Sequence, residues 1–343
     1  MIEELFENIN DNLKKIREII NGSEEWKDFI NTIGRENFRA TLFFVRKNPF
    51  KDDTRKKEFE KYKKSFSSLR RLKTNPVRIT ESIWAIKIPK PVIEYLEYDK
   101  KEIYGRAAVL YAVLVIKELK QDIKVPTEMY EIIALMNIIQ DVVINRDDYF
   151  FIKVVDGKLI DFLRFYDNLY FRKPRNVCLS LNYYELIFLK KLYNKYKKMD
   201  KKKINGALQF ILSIKEQYII QFRVVLLSSA MEYFIGTPDK GVKKYFIERY
   251  KEISELIKSK IEDSELVGKD TVKNITEESI KKFYESIRSA VVHGDIYLKQ
   301  NRDITILKMS EEYEKFERFY EVVLQAYILY PEIFEEILNK KNI

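Results

Sequence analysis

Few residues in this chain have the types and spacing for chemistry. There is one histidine, His293, and one cysteine, Cys178. A single cysteine allows no internal disulfide and no Cys-rich zinc site. A single histidine nearly excludes His-based metal sites as well. Any catalysis must therefore draw on carboxylates, Arg and Lys, hydroxyls, and one imidazole that titrates near neutral pH. A carboxylate site for Mg²⁺ stays open in principle, but no acidic cluster points to one, and no cofactor is expected. The imidazole has a basic neighbour five residues upstream, in the run Arg288-Ser289-Ala290-Val291-Val292-His293-Gly294.

The element that must position this pair is a helix. At about 100° per residue, Ile280, Phe283, Tyr284, Ile287 and Val291 fall on one stripe, which must face a helical core. Arg288 and His293 are then expected to project away from that stripe, with Ser289 and Val292 between them. Gly294 is the expected C′ residue, which puts His293 in the last turn. A positive side chain is favoured there by the helix dipole. A histidine before a C′ glycine also makes a serviceable cap without any chemistry.

The helix belongs to an all-α second half. From Asn182 onward the strand signal nearly vanishes. Helices are expected over 183–199, over about 206–235 up to Gly236-Thr237-Pro238, over 240 to about 261, from near 275 to Gly294, and over about 310–329. Pro331 opens a short final one. Lys201-Lys202-Lys203 reads as a polar linker.

Residues 1 to about 175 read differently. One or two amphipathic helices fill 1–34, carried by Leu5, Ile9, Leu13, Ile16 and Ile20 and broken at Asn21-Gly22-Ser23. A short buried strand is expected around Leu42-Phe43-Phe44-Val45. Residues 51–73 are a charged helical or loop stretch. An alternating strand follows over 79–88, ended by Pro89 and Pro91. Apolar helices are expected over 104–119 and 127–144. Residues 149–155 and 159–165 read as a β-hairpin around Asp156-Gly157, a pair suited to a type I′ turn. The expected fold class is α+β: a mixed α/β N-terminal domain, 1–180, followed by an all-α helical bundle, 181–343.

Composition places the chain among globular proteins. Its 343 residues are 46% hydrophobic and 34% charged, enough to bury two cores. No apolar run is long enough to span a membrane. The acidic start Met1-Ile2-Glu3-Glu4 lacks a signal-peptide core, so a cytoplasmic location is expected. The net charge is +10. Residues 201–343 hold 24 basic and 23 acidic side chains, so nearly all of the excess lies in residues 1–200. A basic surface favours polyanions such as RNA through counterion release. Arg70, Arg71 and Lys73 form one basic cluster, and Arg172, Lys173 and Arg175 another. Each is a candidate phosphate contact, against the plainer reading of a solvated face.

The segment 287–294 resembles the Arg-x(4–6)-His signature of the HEPN superfamily, particularly its Apea-like branch, whose helix commonly ends in a branched residue followed by His-Gly. Upstream, residues 222–236 resemble the first long helix of that branch, with Ala230-Met231-Glu232 in place of its Ala-Leu-Glu-like element. The resemblance covers about residues 205–335 and does not extend to 1–180. It implies a metal-independent endoribonuclease whose HEPN domains pair as a homodimer, so that the Arg and His of both protomers line one cleft. It further implies that Arg288 holds the scissile phosphate. His293 would act as general acid/base or orient the attacking 2′-hydroxyl. Ser289 stands where the family often has Asn or Asp. Glu232 is placed to support Arg288 across the bundle, or is an ordinary helix carboxylate. By family analogy such proteins act in phage defence or stress responses. Two other readings stand beside it: a non-catalytic RNA-binding or dimerisation scaffold, and an all-α interaction module in which Arg-x4-His is coincidental.

The sequence contains no Gly-Ser nucleotidyltransferase signature, no Walker A loop and no dinucleotide glycine pattern. No role is assigned to residues 1–175 beyond sensing a ligand or positioning RNA.

Overall fold

The computed structural model describes residues 14–34, 37–45, 76–81, 83–87, 89, 91–92, 112–118, 127–139, 144–166, 183–217, 219–238, 240–292 and 306–339. These form helices and an antiparallel sheet, an α+β composition. The chain divides into two compact units, one of Met1–Met129 with Val142–Lys190, the other of Tyr130–Asp141 with Lys191–Ile343.

The first unit is built on six antiparallel strands: β1 (Phe38–Val45), β2 (Val77–Arg78), β3 (Ile83–Lys87), β4 (Ala112–Glu118), β5 (Ile144–Val155) and β6 (Lys158–Tyr166). Their order is β2-β3-β4-β1-β5-β6, so β1 is internal, with Leu42 opposite Val115 on one side and Phe150 on the other. The hairpin between β5 and β6 turns at Asp156 (φ 50°) and Gly157 (φ 74°). Positive φ at both central residues defines the type I′ turn that Asp-Gly favours.

Two helical stretches pack on this sheet, residues 14–22 and α1 (Glu24–Ile33). Ser23 caps α1 by accepting from the Trp26 backbone N–H at 3.2 Å. Ile20, Trp26, Phe29, Ile30 and Ile33 share a buried core with Phe38, Ile86, Ile152, Val154 and Leu159. Polar side chains fix the register. The Asn21 amide accepts from Leu159 N at 2.7 Å and donates to its carbonyl at 3.1 Å, and Trp26 Nε1 donates to the Gly157 carbonyl at 3.0 Å.

One expectation fails here. Residues 112–118 are a strand rather than part of a helix. A continuous apolar run carries no period that separates a buried strand from a buried helix. The β-branched Val113, Val115 and Ile116 favour the strand.

The second unit contains α2 (Thr127–Ile139, from Tyr130), α3 (Tyr183–Tyr196, from Lys191), α4 (Lys201–Glu216), α5 (Ile220–Ile235), α6 (Val242–Lys260), α7 (Asp270–Lys273), α8 (Glu277–Lys282), α9 (Ser289–Val292), α10 (Ile306–Leu329) and α11 (Pro331–Asn339). In α2, Ile132, Leu135, Ile138 and Ile139 are fully buried. The single long helix expected over 206–235 is two. The chain leaves helical geometry at Gln217 and Ile219, both extended, without a Gly or Pro to signal it. The tri-lysine run is the first turn of α4, capped by Asp200, which accepts from Lys202 N at 3.0 Å. α4 and α5 then fold back on each other. Gly206 faces the Tyr233 ring there, and a Cβ would fit only if that ring shifted.

α10 is the core helix of this unit, with Phe316, Phe319, Tyr320, Val322, Val323 and Leu324 fully buried. Phenols tie α10 and α6 to α5 through backbone carbonyls: Tyr320 donates to Ala230 O and Tyr250 to Met231 O, each at 2.9 Å. Among the described residues, no helix is long and apolar enough to cross a membrane.

Candidate active site around Arg288

α8 opens on a capping box. Thr276 Oγ1 accepts from Ser279 N at 3.2 Å, and Ser279 Oγ accepts from Thr276 N at 2.9 Å. Two orphan donors are thereby satisfied at the helix start. The helix then widens into a π turn over Phe283–Arg288 and returns to α geometry at Ser289. Single π turns of this kind are frequent at functional sites.

The core stripe is largely as the spacing requires. Ile280, Phe283, Tyr284 and Ile287 are buried, while Val291, beyond the π turn, is half-buried. Phe283 stacks on Phe316 with centroids 4.3 Å apart, and Tyr284 packs on Phe246 at 4.6 Å.

Arg288 departs from expectation. It does not project away from its bundle. Its Nη2 lies 3.1 Å from Glu232 Oε1 on α5, and its Cζ sits 4.8 Å from the Tyr284 ring centroid. Two causes combine. Residues four apart on a helix are neighbours, so Arg288 stands beside Tyr284. The facing helix also offers it a carboxylate. The side chain nevertheless keeps 26% of its surface exposed.

Glu232 Oε1 receives a second hydrogen bond, from the Tyr284 hydroxyl at 2.9 Å. Burial, and next the hydrogen bond to the Glu232 carboxylate, push the Tyr284 phenol up to about 12; the nearby Arg288 charge works against them. Tyr284, Glu232 and Arg288 thus form one contiguous group. One turn away on the same helix, Glu285 pairs with Lys243 of α6 at 2.5 Å.

Ser289 is half-buried beside Arg288 at the start of α9. His293 lies outside the described residues, as do Arg70, Arg71, Lys73, Arg172, Lys173 and Arg175. Of the candidate site residues, the structure therefore joins Arg288 with Glu232 and sets Ser289 next to them. Tyr284 was assigned only to the core by its spacing. Its place four residues before Arg288 was the available signal of a second role.

A second polar group was also missed. Tyr313, Glu317, Glu321 and Gln325 recur every four residues along α10 and form a buried polar face. Lys215 bridges Glu317 (3.0 Å) and Glu321 (2.6 Å). Arg223 pairs with Glu317 at 2.9 Å and lies 4.4 Å from the Tyr313 ring centroid. Arg318 pairs with Glu321 at 2.6 Å. Both carboxylates are bound by two cations each, so this network locks α4, α5 and α10 together. Among the described residues, no three His, Cys, Asp or Glu side chains converge as a metal site would require.

No protein-family model, curated protein or solved structure matches this chain.

Proposed function

We propose that the chain is a metal-independent endoribonuclease of the HEPN type, acting on RNA through Arg288 and His293. In this reading the RNA 2′-oxygen bonds to the adjacent phosphorus as the bond to the 5′-oxygen breaks. The 2′-hydroxyl gives up its proton and the leaving 5′-oxygen gains one. The products are a 2′,3′-cyclic phosphate and a 5′-hydroxyl. His293 carries the proton transfer. Arg288 holds the phosphate and offsets its developing charge. Ser289 supplies a hydroxyl beside them.

The observation that carries the reading is the state of Arg288. Its guanidinium is held in a well-packed helical frame five residues before the only histidine, and a quarter of the side chain stays exposed. The basic excess, nearly all of it in residues 1–200, supports contact of that part of the chain with a polyanion. Pairing of two helical units as a homodimer, a sensing or RNA-positioning role for the sheet unit, and a cytoplasmic role in defence or stress belong to the same reading. The test is product chemistry. Single-stranded and structured RNAs incubated in EDTA should yield cyclic phosphate ends, and an RNA with 2′-deoxy residues at the cut positions should resist.

One observation favours a second reading. Arg288 is already ion-paired with Glu232, as it would be in a non-catalytic RNA-binding or dimerisation scaffold. Binding of RNA without any cleavage would select that alternative.

A further inference from the structure

Among the described residues, the Arg288 guanidinium meets one carboxylate and one ring. Nη2 meets Glu232 Oε1 at 3.1 Å, and the flat face lies over the Tyr284 ring. Nε is buried and has no hydrogen-bond partner among the described residues. The Glu232 carboxylate is itself fixed, because the Tyr284 hydroxyl donates to the same Oε1 at 2.9 Å.

Both ends of this relay sit on one helix, four residues apart across the π turn, and its middle sits on α5. Tyr284 is anchored in turn by Phe246 of α6. The phenol is an unusually reluctant acid, at about 12, so it remains a donor to Glu232 throughout the neutral range.

We infer that Tyr284 and Glu232 are positioning residues: the phenol fixes the carboxylate, the carboxylate and ring fix the guanidinium, and the part of the side chain that stays exposed is presented to a phosphodiester. This rests on the ribonuclease reading. An arginine normally loses rotamer freedom on binding. Here that freedom is removed during folding, which leaves the cation preorganised for the charge that develops on phosphate. A loosened guanidinium should weaken transition-state contacts more than substrate binding.

The variant that isolates the relay is Tyr284→Phe. It keeps the ring under Arg288 and deletes only the hydroxyl. The full chain is assayed on a short single-stranded RNA in EDTA, and the Arg288 side-chain nitrogens are followed by NMR. Tyr284→Phe should lower kcat about ten- to hundredfold with KM changed less than about twofold. The Arg288 Nη signals, resolved in the wild type by hindered rotation, should average. Glu232→Gln, which preserves shape but not charge, should show the same split and serves if Tyr284→Phe folds poorly. Wild-type cleavage with unchanged kcat in both variants overturns the inference and leaves the ribonuclease reading intact. Equal losses in kcat and thermal stability that Tyr284→Leu merely enlarges, with Arg288 signals unaltered, also overturn it, since they describe a structural residue. A wild-type protein that cuts no RNA removes both.

Discussion

Gln325 Nε2 donates a 2.5 Å hydrogen bond to the Ile138 carbonyl, joining two helices whose residues stand 187 positions apart in the chain. The same amide also donates to Val267 O at 3.2 Å, while its oxygen accepts from Val267 N at 3.0 Å. Gln325 is fully buried, and Val267 half-buried. Gln325→Leu removes this partner from Ile138 O and Val267 N, while Val267 O keeps Arg318, and should cost roughly 2–4 kcal/mol. Denaturant unfolding should show this as a lower midpoint with an unchanged slope.

The contact has a second consequence. α2 precedes strand β5 in the chain, yet from Tyr130 it belongs to the helical unit. Glu131 also binds Lys201 at 2.7 Å and accepts from the Tyr196 hydroxyl at 3.2 Å. A fragment of residues 181–343 therefore lacks a core helix. It should bind hydrophobic dye and unfold without a cooperative transition, whereas the intact chain melts cooperatively. Equal melting of the two would show that α2 is dispensable.

Two glycines should respond oppositely to alanine. Gly268 has φ +83°, and a Cβ there would lie 2.5 Å from the Arg318 guanidinium. That guanidinium is held by Glu321 at 2.6 Å and donates to Val267 O at 3.0 Å. Gly268→Ala adds backbone strain and displaces a bound cation, for an expected loss of about 1–3 kcal/mol. Gly206 is helical, and its obstruction is the exposed Tyr233 ring, whose displacement would cost one long hydrogen bond, 3.3 Å to Lys202 O. Alanine gains about 0.5–1 kcal/mol of helix propensity there, so Gly206→Ala should be near neutral. In a Tyr233→Ala background it should stabilise. Thermal melts of the three variants check the ordering.

The helical unit should be sensitive to alkali. Tyr284 is raised to about 12, and burial pushes the Tyr250 and Tyr320 phenols well above the ordinary range. Below pH ~10 the folded and unfolded states both hold these protons. Above it the unfolded chain releases them while the native state retains them, so stability falls as pH rises toward 12. Melting temperature should decline across that window, and Tyr284→Phe should make the decline shallower.

Local chemistry was the legible part of this fold. Asp156-Gly157 specified its turn because few residue pairs accept two positive φ values, and Pro331 marked the start of α11 because proline suits a first helical turn. What escaped was decided by tertiary contacts. The run from Val113 to Ile116 became a strand because β1 and β3 offered it partners on both sides. The break at Gln217 to Ile219 follows from α4 and α5 folding back on each other, not from a breaker residue. At the site, spacing identified the buried stripe, and the resemblance named Glu232 as a partner for Arg288, which the 3.1 Å ion pair matches. The helical wheel alone turned Arg288 outward, because it takes no account of a carboxylate on another helix. The α10 polar face shows the same limit: Glu317 and Glu321 look like ordinary helix acids until Lys215, Arg223 and Arg318 are brought to them.

His293 and Arg288 are proposed to cut RNA together. The most direct test compares wild type, His293→Ala and Arg288→Ala on the same RNA in EDTA, with folding checked by circular dichroism. The account predicts cleavage by the wild type and a loss of about a hundredfold or more in His293→Ala, with a comparable loss in Arg288→Ala. Cleavage that persists unchanged in His293→Ala would contradict it.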